Sequence, residues 1–207
     1  MIRRFSLICL LMVVALSSFS YAQKNELGLL LGATVLPDQT ITVGSFTNNN
    51  LKFSKGLTYQ ATYARQIVDA KIAGLYFEVP FMATPNADIR SGNPNPPTAL
   101  ASLFVTPGVR LKLLPGAGIS PWASVGGGWA RFDEGSTLQS GSPNPGSKGT
   151  NTGVLQYGGG VDVRVFRLIS LRGEVRDFYS GRPQLNVLTA NDRQHNIVVS
   201  GGFVVHF

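Results

Sequence analysis

Thiols, histidine, charge and helical periodicity are all scarce in this sequence. It has one cysteine, Cys9, and two histidines, His195 and His206. Cys9 lies in an N-terminal apolar run, so a mature chain without that run has no thiol. This excludes disulfides, thiolate catalysis and Cys-based metal sites. No His or Cys cluster has metal-ligand spacing, so neither a metal nor a cofactor is expected. Charged residues make up 14% of the chain, against about 25% in ordinary soluble domains. The formal net charge is +7, but no Lys/Arg run forms a nucleic-acid surface. The triplets "GGG" at 126–128 and 158–160 lack the spacing of a phosphate-binding loop. After residue 22 there is almost no 3.6-residue periodicity.

The N-terminus sets the compartment. "MIRR" is basic, residues 5–16 are almost wholly apolar, and "SSFSYA" ends in small residues. This is the pattern of a secretory signal peptide, with cleavage expected before Gln23. The apolar run is 12 residues long, too short for a spanning helix of about 20. Cys9 is not at the end of the run, so a lipid anchor is not expected. The expected organisation is a signal peptide over 1–22 and one domain over 23–207. Loss of Arg3 and Arg4 lowers the charge to +5.

The mature region reads as alternation. Eight stretches are expected as strands: Glu26–Leu36, Gly56–Val68, Ile72–Thr84, Ala99–Leu114, Ile119–Asp133, Thr152–Phe166, Leu168–Ser180 and His195–Phe207. Most are longer than the 5–6 residues usual in soluble sheets and match the roughly 9–11 of a transmembrane strand. The connections alternate in length. "PDQTITVGSFTNNNLKFSK", "PNADIRSGNPNPPT", "EGSTLQSGSPNPGSKG" and "GRPQLNVLTAND" are long, and "DAK", "PGAG" and the joint at Arg167 are short. That rhythm predicts an all-β, eight-stranded up-and-down antiparallel transmembrane β-barrel, with loops on one rim and tight turns on the other. "GNPNPPT" and "GSPNPGS" read as exposed loop tips.

The two faces of these strands differ. Odd positions such as Leu75, Phe77, Val79, Leu103, Val161, Val163, Leu171 and Val175 are apolar. Even positions carry Glu78, Arg110, Lys112, Asp162, Arg164, Arg172, Glu174 and Arg176, with Gly74, Gly108, Gly158, Gly160 and Gly202 among them. A water-facing surface sets no limit on side-chain size, whereas the lumen of an eight-stranded barrel is just wide enough for side chains to fill. Charge mixed with glycine therefore predicts an inward polar face and an apolar face toward lipid. Glu78, Arg110, Asp162, Arg164, Arg172, Glu174 and Arg176 are expected as a structural ion-pair network in the lumen, since buried charges must be paired. Tyr59, Phe81 and Tyr179 toward the long-loop rim, and Trp122 and Phe207 toward the short-turn rim, are expected as interfacial aromatics. Arg65 and Asp177 fall on the apolar face near strand ends. Strand 119–133 reads in either register: Trp122 and Phe132 share one face, Val125 and Trp129 the other, and "VGGGW" could hold a bulge.

The signal peptide, the strand order, "FVTPGVRLKLLPGAGISPWASVGGGWARF", "GGGVDVRVFRLISLRGEVRDFYSG" and the terminal "FVVHF" together resemble the small outer-membrane β-barrels of Gram-negative bacteria, the opacity-like and OmpA-barrel-like group. The resemblance covers the whole mature region. It implies outer-membrane localisation, with outer-membrane lipid, periplasmic chaperones and the barrel-assembly machinery as partners. It also implies that Phe207 belongs to the C-terminal assembly signal. No peptidoglycan-binding domain is expected after Phe207.

The functional expectation is a non-enzymatic barrel with a structural or adhesin-like role, its loops (Lys148 among them) facing an extracellular ligand or host surface. The alternatives are a narrow passive, porin-like pore and a lipid A-modifying barrel enzyme. The enzyme reading rests on His195, with Asp192 and Ser180 as neighbours that no motif places. No catalytic residue is expected.

Overall fold

A computed structural model of the chain describes residues 24–43, 46–146, 149–187, 189 and 192–207. The expected signal peptide and Lys148 lie outside the described residues.

Among the described residues the chain forms eleven strands, the wall strands built by alternation of apolar and polar residues: β1 (Asn25–Val35), β2 (Gln39–Val43), β3 (Phe46–Phe53), β4 (Gly56–Asp69), β5 (Ala73–Arg90), β6 (Ala99–Val105), β7 (Gly108–Leu113), β8 (Ile119–Glu134), β9 (Gly149–Phe166), β10 (Ile169–Gly181) and β11 (Arg193–His206). Antiparallel pairing runs β1–β4–β5–(β6, β7)–β8–β9–β10–β11 and returns to β1. β6 and β7 together form one wall strand, so the chain closes an eight-stranded up-and-down antiparallel barrel. The seam pairs Glu26 with His206 through to Val35 with Ile197. Below it, Asn25 and Phe207 exchange two backbone hydrogen bonds of 2.9 Å, which ties the end of the last strand to the start of the first.

The expected strand Ala99–Leu114 is divided at Thr106–Pro107, but its register is unbroken. Val105 faces Trp129 and Gly108 faces Gly126 on β8. The gap arises because Pro107 has no amide hydrogen to give to the ladder. The suggested bulge at "VGGGW" is absent, and β8 pairs with both neighbours without a register shift. Close approach explains the glycines instead. A Cβ at Gly126 would press on the carbonyl oxygens of Thr106 and Pro107, and one at Gly128 would overlap that of Val105.

The first long connection is not irregular. It holds the β2–β3 hairpin, and β3 adds to β5 through Lys52–Arg90 and Phe53–Ile89. The other long segments are also joined. Pro97 bridges Leu138, and Gln139 and Ser140 donate backbone hydrogen bonds to Pro96 and Pro94. Asn186 Nδ2 donates to Asn144 Oδ1 at 2.7 Å, and Ile41 bridges Thr189. Pro94, Asn95, Pro143 and Pro145 are exposed, as expected of loop tips, while Asn93 and Asn144 beside them turn inward and are buried.

The outward face is apolar. Leu29, Leu31 and Phe203 are 59–61% exposed, and Phe77 and Val161 are 44% and 40% exposed. The inward face is filled with side chains, and glycine provides the room. Arg172 lies opposite Gly202, Glu174 opposite Gly160, Arg176 opposite Gly158, Glu78 opposite Gly108 and Lys112 opposite Gly74. Each long polar chain thus crosses a neighbouring strand that has no side chain there.

Candidate functional site

Even-numbered positions of β1, β5, β7, β9 and β10 bring eight charges together in the half of the bore nearer the short turns. Four are carboxylates (Glu26, Glu78, Asp162, Glu174) and four are cations (Arg110, Lys112, Arg172, Arg176), each at most 4% exposed. Two groupings share them. Asp162 takes a fork from Arg172, Nε to Oδ1 at 2.6 Å and Nη2 to Oδ2 at 2.8 Å, and pairs with Lys112 at 2.6 Å. Glu26 joins that group through Lys112 at 2.9 Å, Arg172 at 3.1 Å and Arg110. Arg176 holds Glu78 at 2.6 Å and Glu174 at 2.8 Å. Arg110 links the groupings, 3.6 Å from Glu78. The formal charges cancel. Forked, charge-assisted hydrogen bonds are the geometry in which burial of such groups is best offset.

Trp122 lies at the centre of this network and not among the interfacial aromatics. Its ring is 5% exposed and lies 4.9–5.4 Å from the guanidinium carbons of Arg110, Arg172 and Arg176, while its Nε1 donates to Asp162 Oδ1 at 3.2 Å. The electron-rich ring face draws three cations and the indole N–H meets a carboxylate, which explains why it turns inward. The register of β8 follows: Trp122 and Phe132 face in, Val125 and Trp129 face out. Tyr59 and Phe81 face outward, 48% and 46% exposed, and Tyr179 is half-buried on the same face.

Among the seven charged lumen positions expected from sequence, Arg164 is the exception. It stands at the short-turn mouth, where its Nη2 donates to Pro115 O at 3.4 Å, away from every carboxylate of the network. Glu26 was not identified from sequence because it opens the first strand in an otherwise apolar stretch. His206 shares its row: its Nε2 lies 2.8 Å from Ser170 Oγ, and its Nδ1 lies 3.5 Å from Glu26 Oε1. A serine, an imidazole and a carboxylate in that order can pass a proton. Ser170 is 2% exposed, so no substrate reaches its oxygen in this conformation.

Toward the long loops the bore changes character. Met82, Phe104, Ala130, Phe132, Phe178 and Val198 are buried in one apolar cluster. The Phe104 ring meets Phe132 edge-on at 5.6 Å and Phe178 at 5.0 Å. The loops complete this layer, with Ile41 and Leu51 of the first and Leu185 of the last buried to 0–1%. Beside it the hydroxyls of Thr34, Thr58 and Thr84 meet at 2.6–2.9 Å.

His195 does not meet the neighbours expected of a catalytic site. Ser180 points into the bore. Asp192 pairs with Arg182 at 3.4 Å. On the outer face, His195 Nδ1 and the Tyr157 hydroxyl each lie 2.6 Å from Asp177 Oδ2, and the Tyr179 ring covers the imidazole at 4.7 Å. This polar relay partners Asp177, while Arg65 is exposed near the short-turn end. Among the described residues no group of His, Cys, Asp and Glu is placed to hold a metal ion.

No family model matches the chain, and no curated protein matches its sequence. Solved structures do. Neisserial surface protein A is 16% identical, with 88% of this chain and 97% of that one aligned at a TM-score of 0.55. The outer membrane protein OprG from Pseudomonas aeruginosa is 13% identical, with 89% and 96% aligned at a TM-score of 0.56. The chain therefore has the fold of the small eight-stranded outer-membrane β-barrels.

Proposed function

We propose that the exported chain, cut after Ala22, spans the outer membrane of a Gram-negative bacterium as a non-enzymatic barrel with a closed bore. In this reading its joined long loops form an extracellular interaction surface. One observation carries the closed bore: eight mutually paired charges and Trp122 fill one half, and apolar residues from the wall and the loops fill the other. The outward face, apolar along every wall strand, supports lipid as its surroundings. Phe207, held at the seam, is proposed as part of the assembly signal read by the barrel-assembly machinery, with periplasmic chaperones acting before it.

Gel migration with and without heating, together with planar-bilayer conductance of the refolded protein, tests this reading. The unheated band is expected to shift, and no stepwise ion current is expected. Glu174→Ala is expected to lower the unfolding temperature more than it changes conductance. A stepwise current from the unmodified protein would make it a pore.

The interaction role is supported by the linked loops, since loops held on a rigid scaffold commonly carry binding. Replacing residues 139–145 by a short Gly-Ser turn is expected to leave the heat-dependent band shift intact and to abolish adhesion of expressing cells to a host surface. Undiminished adhesion would remove the third long loop from that role.

A further inference from the structure

The bore opens at its short-turn end into a concavity of about 450 Å³ lined by Lys24, Asp69, Lys71, Tyr76, Arg164 and His206, among others. Its charge is unbalanced. Lys24, Lys71 and Arg164 have no carboxylate within ion-pair distance among the described residues. Asp69 accepts the backbone N–H of Lys71 at 3.3 Å and, with Glu26, is one of the two side-chain carboxylates among the described residues that line this concavity. Glu26 on the floor is already shared by Arg110, Lys112 and Arg172. His206 is engaged by Ser170 and Glu26.

Arg164 is the informative member. Hydrogen bonding of its backbone N–H to Gly118 O at 2.8 Å anchors it beside the 114–118 turn. Among the described residues its side chain makes one hydrogen bond, 3.4 Å to Pro115 O, and its Nε is buried with no acceptor. A buried donor without a partner is costly, and a guanidinium is a planar fork suited to oxyanions. Three uncompensated cations around a concave mouth also focus positive potential there.

We propose that this vestibule binds a small water-borne phosphate ester, with Arg164 forking the phosphate and Lys24 and Lys71 neutralising it. The volume falls within the roughly 300–1,000 Å³ usual for small-ligand sites. A phosphate could also come from a lipid headgroup. Lys24 and Arg164, however, line a space inside the ring of strands, whereas lipid contacts its outside, and this favours the dissolved source.

Glycerol 3-phosphate is the probe, titrated calorimetrically into the folded protein in zwitterionic detergent. Saturable one-site binding is expected, with glycerol inert. Arg164→Gln is expected to weaken binding about tenfold or more, as loss of a charge-assisted fork would. Lys24→Gln with Lys71→Gln is expected to weaken it similarly, and Lys52→Gln with Lys55→Gln on the opposite rim to leave it unchanged. None of these side chains belongs to the buried network, and the heat-dependent band shift verifies that each variant folds. No saturable heat from the unmodified protein overturns the proposal, as does undiminished binding by the triple variant lacking Lys24, Lys71 and Arg164. Indifference to glycerol 3-phosphate, combined with Arg164-dependent retention on phosphatidylglycerol vesicles over phosphatidylcholine vesicles, overturns the dissolved source in favour of lipid.

Discussion

Arg176→Ala is expected to destabilise the folded barrel by about 3–5 kcal/mol, the usual cost of breaking a buried ion pair from one side. Arg176 is 1% exposed and serves two carboxylates, Glu78 at 2.6 Å and Glu174 at 2.8 Å, as well as Ser124 Oγ at 3.2 Å. Without it Glu174 keeps the amide of Gln60 at 2.6 Å but no cation, and Glu78 keeps Arg110 at 3.6 Å. Gly158 lies across the ladder and offers no side chain to fill the space. Reversible urea unfolding of the protein in lipid vesicles measures the loss. The combined variant Arg176→Met, Glu174→Gln is expected to recover most of it, because removing one cation and one carboxylate together keeps the buried charges balanced and leaves Glu78 to Arg110. A loss below about 1 kcal/mol for Arg176→Ala is what a hydrated, screened pair would give. That result would mean that water fills the bore, and would favour conduction over closure.

The eight-strand rhythm was legible in the sequence because one constraint acts along the whole wall: a side chain faces either the bore or the outside, so polarity alternates with period two. The same constraint hides the division at Thr106–Pro107, since Phe104, Thr106 and Arg110 keep one parity across it. The β2–β3 hairpin was not legible. Its residues serve loop packing and cross-loop pairing, and "TNNNLKF" carries no steady alternation. The charged half of the bore was largely readable from Glu78 to Arg176, because long charges and glycines share even positions. The apolar half was not, although Phe104, Phe132 and Phe178 sit on those same even positions. A polar-inside rule assigns the bore one composition, whereas here the loops fold over and supply Ile41, Leu51 and Leu185 to a second one. Trp122 and His195 went astray for another reason. Their partners, Asp162 and Asp177, lie 40 and 18 residues away. Which carboxylate each meets depends on strand register, which local pattern does not fix.

Val161→Arg is expected to cost about 2–4 kcal/mol in a bilayer, the penalty for a guanidinium on the lipid face near the midplane of a barrel. Val161 lies on the outer face, flanked across the ladders by Pro121 and Gly173, several residues from either end of β9. Among the described residues its neighbours across the ladders, Ile119, Ala123, Leu171 and Val175 included, offer no carboxylate to accept the new charge. Asn151→Arg, outward on the same strand but near the long-loop end, is expected to cost only about 0–1 kcal/mol, since a long side chain there reaches the interface. Urea unfolding of both variants in vesicles gives the contrast. Both substitutions add one cation to an exposed position and neither disturbs the bore; the Arg131–Asp133 pair across the ladder from Asn151 is net neutral. In a barrel bathed by water, both would fall within about 0.5 kcal/mol of the parent, as surface substitutions usually do. A depth-dependent penalty requires a medium whose polarity changes along the strand, and hydrocarbon between two aqueous phases supplies one. Equal, small effects at both positions would leave Leu29, Leu31 and Phe203 as an apolar belt facing water. A belt of that extent is not tolerated by soluble monomers, so a protein partner would then have to cover it in place of lipid.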